Sequence, residues 1–555
     1  MIIASEIFFA EHSLNEMGIL TKMKKNIEIP LLFGSAGLAA VGAVTGCSPK
    51  NNDAGKRLNI VYIMCDDHSF QTISAYGHPL SQLAPTPNID RLAAQGIRFD
   101  RAYVENSLST PSRACLMTGL YSHQNGQTML SNVMDSTVTF VPELMQAAGY
   151  ETAVIGKWHM LCDPKGFDTY RVLRDQGEYY NPVFKTPESK GQYIREEGYT
   201  TDLITEHAIE FLENRDKDKP FLLYVHHKAP HRSWMPDFKY LDLYEDVEFP
   251  LPETFYDDYA TRGAAMQEQR MRIEEDMSMV YDLKLYGYEG STNENDNPRM
   301  LQYALGSMTD EERERWYAAY EKRNERFFAQ KDRMTHEELV EFKYQRYIKD
   351  YVRVIKSVDD SVGEILHYLE ANNLMENTVI VYTSDQGFYM GEHGWFDKRF
   401  MYEESFRTPL IVRYPGGKGG KISETLVQNL DFGPTFLDIA GAPQPENMYG
   451  LSMLPVLKKD GATPKKWRKT LYYHFYDHTP EHNVLRHDGL FDKRYKLIHF
   501  YDETGAIPSY EEFFDLQADP NELNNLIDDP KYKRLIDKFD KQLDETRAKI
   551  GVTEY

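Results

Sequence analysis

Four short runs of apolar, β-branched residues stop abruptly at polar ones. Leu58 to Met64 runs into Cys65-Asp66-Asp67-His68, and Thr152 to Ile155 into Gly156-Lys157-Trp158-His159. Phe221 to Val225 runs into His226-His227-Lys228-Ala229-Pro230-His231, and Thr378 to Thr383 into Ser384-Asp385-Gln386-Gly387. Continuous apolar runs of this length suit strands covered on both faces, as in a parallel sheet. Helical patterns separate them, Asn88 to Gly96 and Val141 to Gly149 among them, so the chain reads as an open α/β sheet. The segment 255–375 is charged and helical in pattern, with a helical insertion expected over about 255–345. Thr309-Asp310-Glu311-Glu312 and Thr335-His336-Glu337-Glu338 read as capping boxes. The second opens a helix whose Tyr344, Ile348, Tyr351, Ile355, Val362 and Ile365 form a core-facing stripe, and Asn293 to Pro298 is a loop. Beyond Ile439-Ala440-Gly441, Pro443 and Pro445 divide a large domain over 55–440 from a smaller one over 445–555. The latter holds strands at Leu471 to Phe475 and Tyr495 to Phe500 and a final helix, Pro530 to Lys549, as expected of a small sheet covered by a helix.

The first residues stand apart from this pattern. Met23-Lys24-Lys25 gives a basic start, and Ile29 to Val44 is apolar but short for a membrane span. It ends in Val44-Thr45-Gly46-Cys47, similar to a bacterial lipoprotein signal with Cys47 lipidated. Residues 1–46 are therefore expected to be a leader, with Met23 or Met17 the start and 1–22 untranslated. At 555 residues, 41% hydrophobic and 27% charged, the remainder is long and apolar enough for a large core. The net charge of −23 argues against nucleic acid or anionic lipid as a general partner. A membrane is then met only through a lipid anchor. Apart from Cys47, Cys65, Cys115 and Cys162 remain, an odd set without ligand spacing, which argues against a disulfide framework or structural zinc.

In open α/β sheets ligands sit beyond the carboxyl ends of the strands, where all four polar clusters fall. Asp66, Asp67, Asp385 and Gln386 offer hard oxygen ligands, suited to calcium or magnesium more than zinc. Arg113, Lys157, His159, His231 and Lys398 supply cations and proton donors. Before an apolar helical run stands Asn106-Ser107-Leu108-Ser109-Thr110-Pro111-Ser112-Arg113. A turn needs its Ser and Pro and a helix cap one hydroxyl, but neither needs the arginine. A hydroxyl nucleophile at Ser109 beside fixed cations and a metal would be chemistry on a tetrahedral oxyanion.

Ser109-Thr110-Pro111-Ser112-Arg113, continuing through Leu116, Thr118 and Gly119, resembles the signature of the type I sulfatases. Gly149-Tyr150 through Gly156-Lys157-Trp158-His159 resembles the second signature of that family, and the likeness covers about residues 55–510. It implies an alkaline-phosphatase-like sandwich, a large mostly parallel sheet between helices, with a smaller C-terminal α+β subdomain. It implies one calcium held by Asp66, Asp67, Asp385, Gln386 and Ser109, and oxidation of Ser109 to formylglycine. One hydroxyl of the hydrated aldehyde attacks sulfur, and the other later expels sulfate. By the same resemblance Arg113 and Lys157 stabilise nucleophile and sulfate, and Lys398 binds sulfate oxygens. His159 assists the hydroxyl, and His231 is the general acid toward the leaving alcohol. Serine in place of the commoner cysteine implies an anaerobic, radical-based maturating enzyme. With the leader it implies a periplasmic or cell-surface lipoprotein of a Gram-negative anaerobe.

His227-Lys228-Ala229-Pro230-His231-Arg232-Ser233-Trp234-Met235-Pro236 resembles bacterial enzymes that remove 6-O-sulfate from N-acetylglucosamine in glycosaminoglycans of heparan type. His227 at its strand end, and His482, Arg486 and His487 in a loop-like stretch with His478 near the rim, are candidates for contacting such a sugar. Another sulfated glycan or position is the nearest alternative. A phosphatase or phosphodiesterase of the same superfamily would want an Asp-His pair where Asp385 is followed by Gln386. A surface glycan-binding lipoprotein with a dead site would be expected to have lost charged positions that are all present.

Overall fold

The four apolar runs become four neighbouring strands. The structure, a computed structural model, describes residues 57–135, 137–289, 291, 293–477, 482–502 and 504–553. The expected leader over 1–46, Cys47 and His478 lie outside the described residues. In chain order the strands are β1 (Asn59–Cys65), β2 (Ile97–Phe99), β3 (Ala102–Tyr103), β4 (Glu151–Gly156), β5 (Thr169–Leu173), β6 (Val183–Lys185), β7 (Ile194–Arg195) and β8 (Phe221–His226). They continue as β9 (Thr378–Ser384), β10 (Leu410–Arg413), β11 (Lys421–Ser423), β12 (Val427–Gln428), β13 (Leu471–Phe475), β14 (Arg486–Phe491), β15 (Tyr495–Tyr501) and β16 (Tyr510–Asp515). Ten form one sheet in the order β11-β2-β10-β9-β1-β8-β4-β5-β6-β7, and β3 pairs with β12 apart from it. Strands β9, β1, β8, β4 and β5 run parallel. Their register aligns Cys65 with Ser384, Met64 with His226, and Gly156 with His226.

The longer helices are α1 (Pro87–Gln95), α2 (Ser109–Thr118), α3 (Val141–Ala147), α4 (Thr200–Asn214), α5 (Pro298–Leu305), α6 (Asp310–Gln330), α7 (His336–Ala371), α8 (Phe432–Ala440) and α9 (Lys533–Ile550). Alternation along the central strands sends Val61, Ile63, Leu223, Val225, Ile380 and Tyr382 into one core with α4 and α7. Ile60, Tyr62, Leu222, Tyr224, Val379 and Val381 face the other, under α2, α3 and α8. Both faces are covered, which is why the runs carry no polar alternation. The predicted stripe of α7 is buried throughout, and both capping boxes form, Thr309 and Thr335 each accepting from the backbone amide three residues on.

The insertion departs from expectation. From 255 to 297 the only helix among the described residues is the short Ala264–Glu268. Asp257, Asp258 and Asn293 instead accept from backbone amides two residues ahead, closing local turns that compete with a helix. Pro298 then opens α5, capped by Asn297.

Strands β13 to β16 form a four-stranded antiparallel sheet in sequential order. Ile536, Phe539, Leu543 and Ile550 of α9 cover one face with Leu490, Leu497 and Phe513. The other face packs Tyr473, Phe475, Ile498 and Phe500 against Trp395, Phe400 and Met401. The small sheet thus buttresses the segment that carries Lys398. The chain predicted as a rim loop over Arg486 and His487 is strand β14, and it supplies part of that buttress.

Candidate active site

Ser109 opens the buried helix α2, whose preceding residue Leu108 is extended and offers no side-chain cap. The first amides and the positive end of the helix dipole are therefore left to stabilise negative charge there. Ser109 Oγ donates to Asp66 Oδ1 at 3.0 Å and accepts from Gln386 Nε2 at 3.2 Å. Those partners stand 43 and 277 residues away in sequence and meet because β1 and β9 are neighbours. Ser112 donates to the Asp385 carbonyl, tying the helix to the end of β9.

Arg113, one turn along α2, reaches Asp385 Oδ2 through Nε at 3.2 Å and Nη2 at 3.0 Å, and donates to the Lys157 carbonyl at 2.9 Å. Lys157 Nζ meets Asp66 Oδ2 and the amide oxygen of Gln176. Gly156 makes that position reachable: its φ is +107°, and a Cβ there would lie 2.0 Å from the His226 carbonyl oxygen. Lys398 Nζ bonds Asp67 Oδ2 at 2.7 Å, and His231 Nε2 lies 3.7 Å from the same oxygen. Asp66, Asp67, Ser109, Arg113, Lys157, Asp385, Gln386 and Lys398 are all buried. Burial, opposed by Lys398 and reinforced by Asp385 and Asp397, pushes the Asp67 carboxyl up to about 6.

The acceptor set fits a hard divalent cation. Asp66, Asp67 and Asp385 each offer a carboxylate oxygen within 4.8 Å of the others, with no histidine or cysteine in the group. Gln386 Oε1 is buried and has no hydrogen-bond partner, so an amide oxygen stands ready beside them. Oxygen-only donors of this kind suit calcium or magnesium.

His159 takes a left-handed backbone (φ 48°) that sets its Nδ1 3.3 Å from Thr110 Oγ1. The His231 side chain is 13% exposed; its Nδ1 lies 2.8 Å from the Arg232 carbonyl and must donate to it, leaving Nε2 free to exchange a proton. Burial holds both imidazoles well below the usual histidine range, and the charges of Lys157, Lys398 and Lys228 press the same way.

Three neighbours were missed in the sequence. Lys228 stands in the histidine-rich stretch after β8, where nothing local marks its role; its ammonium lies 4.8 Å from the Tyr179 ring centroid. Tyr179 in turn donates its hydroxyl to the His231 carbonyl at 2.5 Å. Gln176 sits in a polar loop after β5 with no local signal to single it out.

The candidate sugar contacts divide. His227 is a correction: consecutive residues at a strand end face opposite sides, and His227 turns into the core, its Nε2 3.1 Å from Ser361 Oγ of α7. His487 is another: it is buried among Phe400, Tyr473, Phe475 and Phe500, and its Nε2 accepts from the Met401 amide at 3.2 Å. Arg486 stands on β14 against the rings of Tyr476 and Tyr501 instead of in an open loop. His482 does come to the site's edge, with Nδ1 2.6 Å from the Arg270 carbonyl and Nε2 3.3 Å from Asp397, the residue before Lys398.

Helices on both faces of a mostly parallel sheet, with an anion-stabilising oxygen and cation cluster beyond the strand ends, define a hydrolase of the alkaline-phosphatase-like fold. The profile of the sulfatases matches residues 58–442, and that of the C-terminal part of N-sulphoglucosamine sulphohydrolase matches 391–549. The chain belongs to the sulfatase family. It is 44% identical over 533 residues to an N-acetylglucosamine-6-O-sulfatase of Bacteroides thetaiotaomicron, spanning 95% of this chain and 92% of that protein. An arylsulfatase of Clostridium perfringens is 25% identical over 87% of this chain and 93% of its own. A solved structure in complex with its substrate D-glucosamine-2-N,6-O-disulfate superposes with a TM-score of 0.84 at 44% identity, over 90% of this chain and 99% of that one.

Proposed function

We propose that this sulfatase removes the 6-O-sulfate from N-acetylglucosamine or N-sulfated glucosamine of heparan-type glycosaminoglycan oligosaccharides. The observation that carries the chemistry is the Ser109 hydroxyl at the start of α2, held between the Asp66 carboxylate and the Gln386 amide, with Lys157 against Asp66 and Arg113 against Asp385. The likeness to the Bacteroides enzyme and to the disulfate-bound structure supports the substrate.

Asp66, Asp67, Asp385, Gln386 and position 109 would hold calcium, which would offset their charge and polarise a sulfate oxygen. Oxidised to formylglycine by an anaerobic maturating enzyme, position 109 would supply a hydrated aldehyde, one hydroxyl to attack sulfur and one to release sulfate. Arg113 and Lys157 keep the attacking oxygen anionic, and Lys157 and Lys398 take up charge on the sulfate oxygens. His159, beside Thr110, accepts and returns a proton near position 109. A bound sulfate would offset the lysine charges that lower the proton affinity of His231, and the imidazolium would then deliver its Nε2 proton to the departing sugar oxygen. The leader points to a lipid-anchored protein of the periplasm or cell surface, with Cys47 as the anchor.

The test is a panel of glucosamines sulfated at N, 3-O or 6-O, offered to protein made with an anaerobic maturase. Release from the 6-O position with the N-sulfate retained is expected, with a two-hydrogen mass loss at Ser109 and no turnover by Ser109→Ala. Release from another position alone refutes the substrate, and activity in Ser109→Ala refutes the nucleophile.

A further inference from the structure

A second cavity, of about 410 Å³, shares a wall with the site: His159 lines it together with Leu161, Asp163, Asp175, Lys185 and Tyr193. That volume lies within the range of small-ligand pockets. A larger cleft, of about 890 Å³ and bounded by Gln71, Glu253, Glu392 and Arg407, includes none of the residues that hold Ser109.

The smaller cavity has apolar walls from Leu161, Val172, Leu173 and Tyr193 beside its charged residues. Leu161 and Tyr193 are 46% and 38% exposed at its rim. The Tyr193 ring is held from one side by the Lys185 ammonium, 5.3 Å from its centroid. Lys185 is itself only 12% exposed and is paired with Asp163, whose side chain is 76% exposed. A lysine whose partner is so exposed loses little by exchanging it for another anion. An open aromatic face, carboxylates able to accept from hydroxyls, and one half-buried ammonium are what a hexose ring with an acidic substituent requires.

Resting on the 6-O-sulfatase reading, we infer that this cavity is the subsite for the adjoining sugar of the chain, an acidic hexose such as a uronate. Its ring lies on Tyr193 and Leu161, its hydroxyls donate to Asp163 and Asp175, and its carboxylate reaches Lys185. The enzyme then acts on oligosaccharides in preference to the free sugar.

The quantity to measure is the ratio of kcat/KM for a uronate-containing 6-sulfated disaccharide to that for the 6-sulfated monosaccharide. It should exceed one in the wild type by about tenfold, and Tyr193→Ala and Lys185→Gln should each lower it by about five- to tenfold, the loss of one stacking or ionic contact. A wild-type ratio near one overturns the subsite while monosaccharide turnover leaves the 6-O-sulfatase reading standing. Equal losses on both substrates, or an unchanged ratio in both variants, overturn it too. Wild-type turnover of neither substrate removes the reading and the subsite together.

Discussion

Replacing His231 by alanine should separate its chemistry from its packing. The ring's Nδ1 is committed to the Arg232 carbonyl at 2.8 Å, and the main chain is pinned through Tyr179, so Nε2 is the atom that changes protonation. A sugar alkoxide is a poor leaving group and needs that proton, whereas nitrophenolate departs without it. A positioned general acid is worth about 10²–10⁴-fold, or about 3–5 kcal/mol of barrier. The side chain is 13% exposed at the edge of the site, so its removal should cost folding only about 1 kcal/mol. His231→Ala should therefore lose about 10²–10⁴-fold in kcat/KM on a glucosamine 6-sulfate but less than about tenfold on nitrophenyl sulfate. Steady-state kinetics on both substrates, with a thermal melt to confirm folding, measure the ratio of losses. Equal losses would refute the reasoning and move the proton donor to His159.

Asp385→Ala should cut activity by about a hundredfold or more and weaken calcium binding in calorimetry, because Arg113 and the cation both lose their acceptor; stoichiometric zinc with full activity in the wild type would contradict the metal assignment. Lys228→Ala removes a positive charge that lowers proton affinity at His159 and His231. The alkaline limb of kcat against pH should move upward, Lys228→Arg should leave it in place, and a downward shift in the alanine variant would refute the electrostatic role. Glu512 is buried under Gly263 N and Tyr402 OH, and its carboxyl is pushed by burial from 4.5 up to about 7. The folded state keeps this proton where the unfolded chain has lost it, so its stabilisation is present below pH 4.5 and disappears as pH rises through 7, about 3 kcal/mol in all. Urea melts at pH 5 and pH 8 should show a smaller fall in stability for Glu512→Gln than for the wild type, and parallel falls would refute the assignment.

Much of the site was legible before any tertiary contact was known. The strands of the central sheet announce themselves because burial on both faces removes any polar alternation from Ile60 to Met64 and from Val379 to Tyr382. The residues that follow each run were candidates because a parallel sheet delivers its strand ends to one edge. The Ser109 segment stood out for an arginine that neither a turn nor a cap requires.

What local pattern cannot carry is orientation and distant pairing. His226, His227 and Lys228 are adjacent in the chain, yet strand alternation buries His227 against Ser361 while Lys228 comes to lie on Tyr179. The stretch at Arg486 and His487 looked like a polar loop, but pairing with β13 and β15 makes it a strand, and Met401 claims the His487 ring. Which residues could do the chemistry was legible locally, since composition and strand-end position are properties of each segment. Which of them face one another emerges only on folding, because contacts such as Gln386 with Ser109 and Lys398 with Asp67 close loops of 277 and 331 residues. Strand order and side-chain direction set those contacts, and neither is written within the segments themselves.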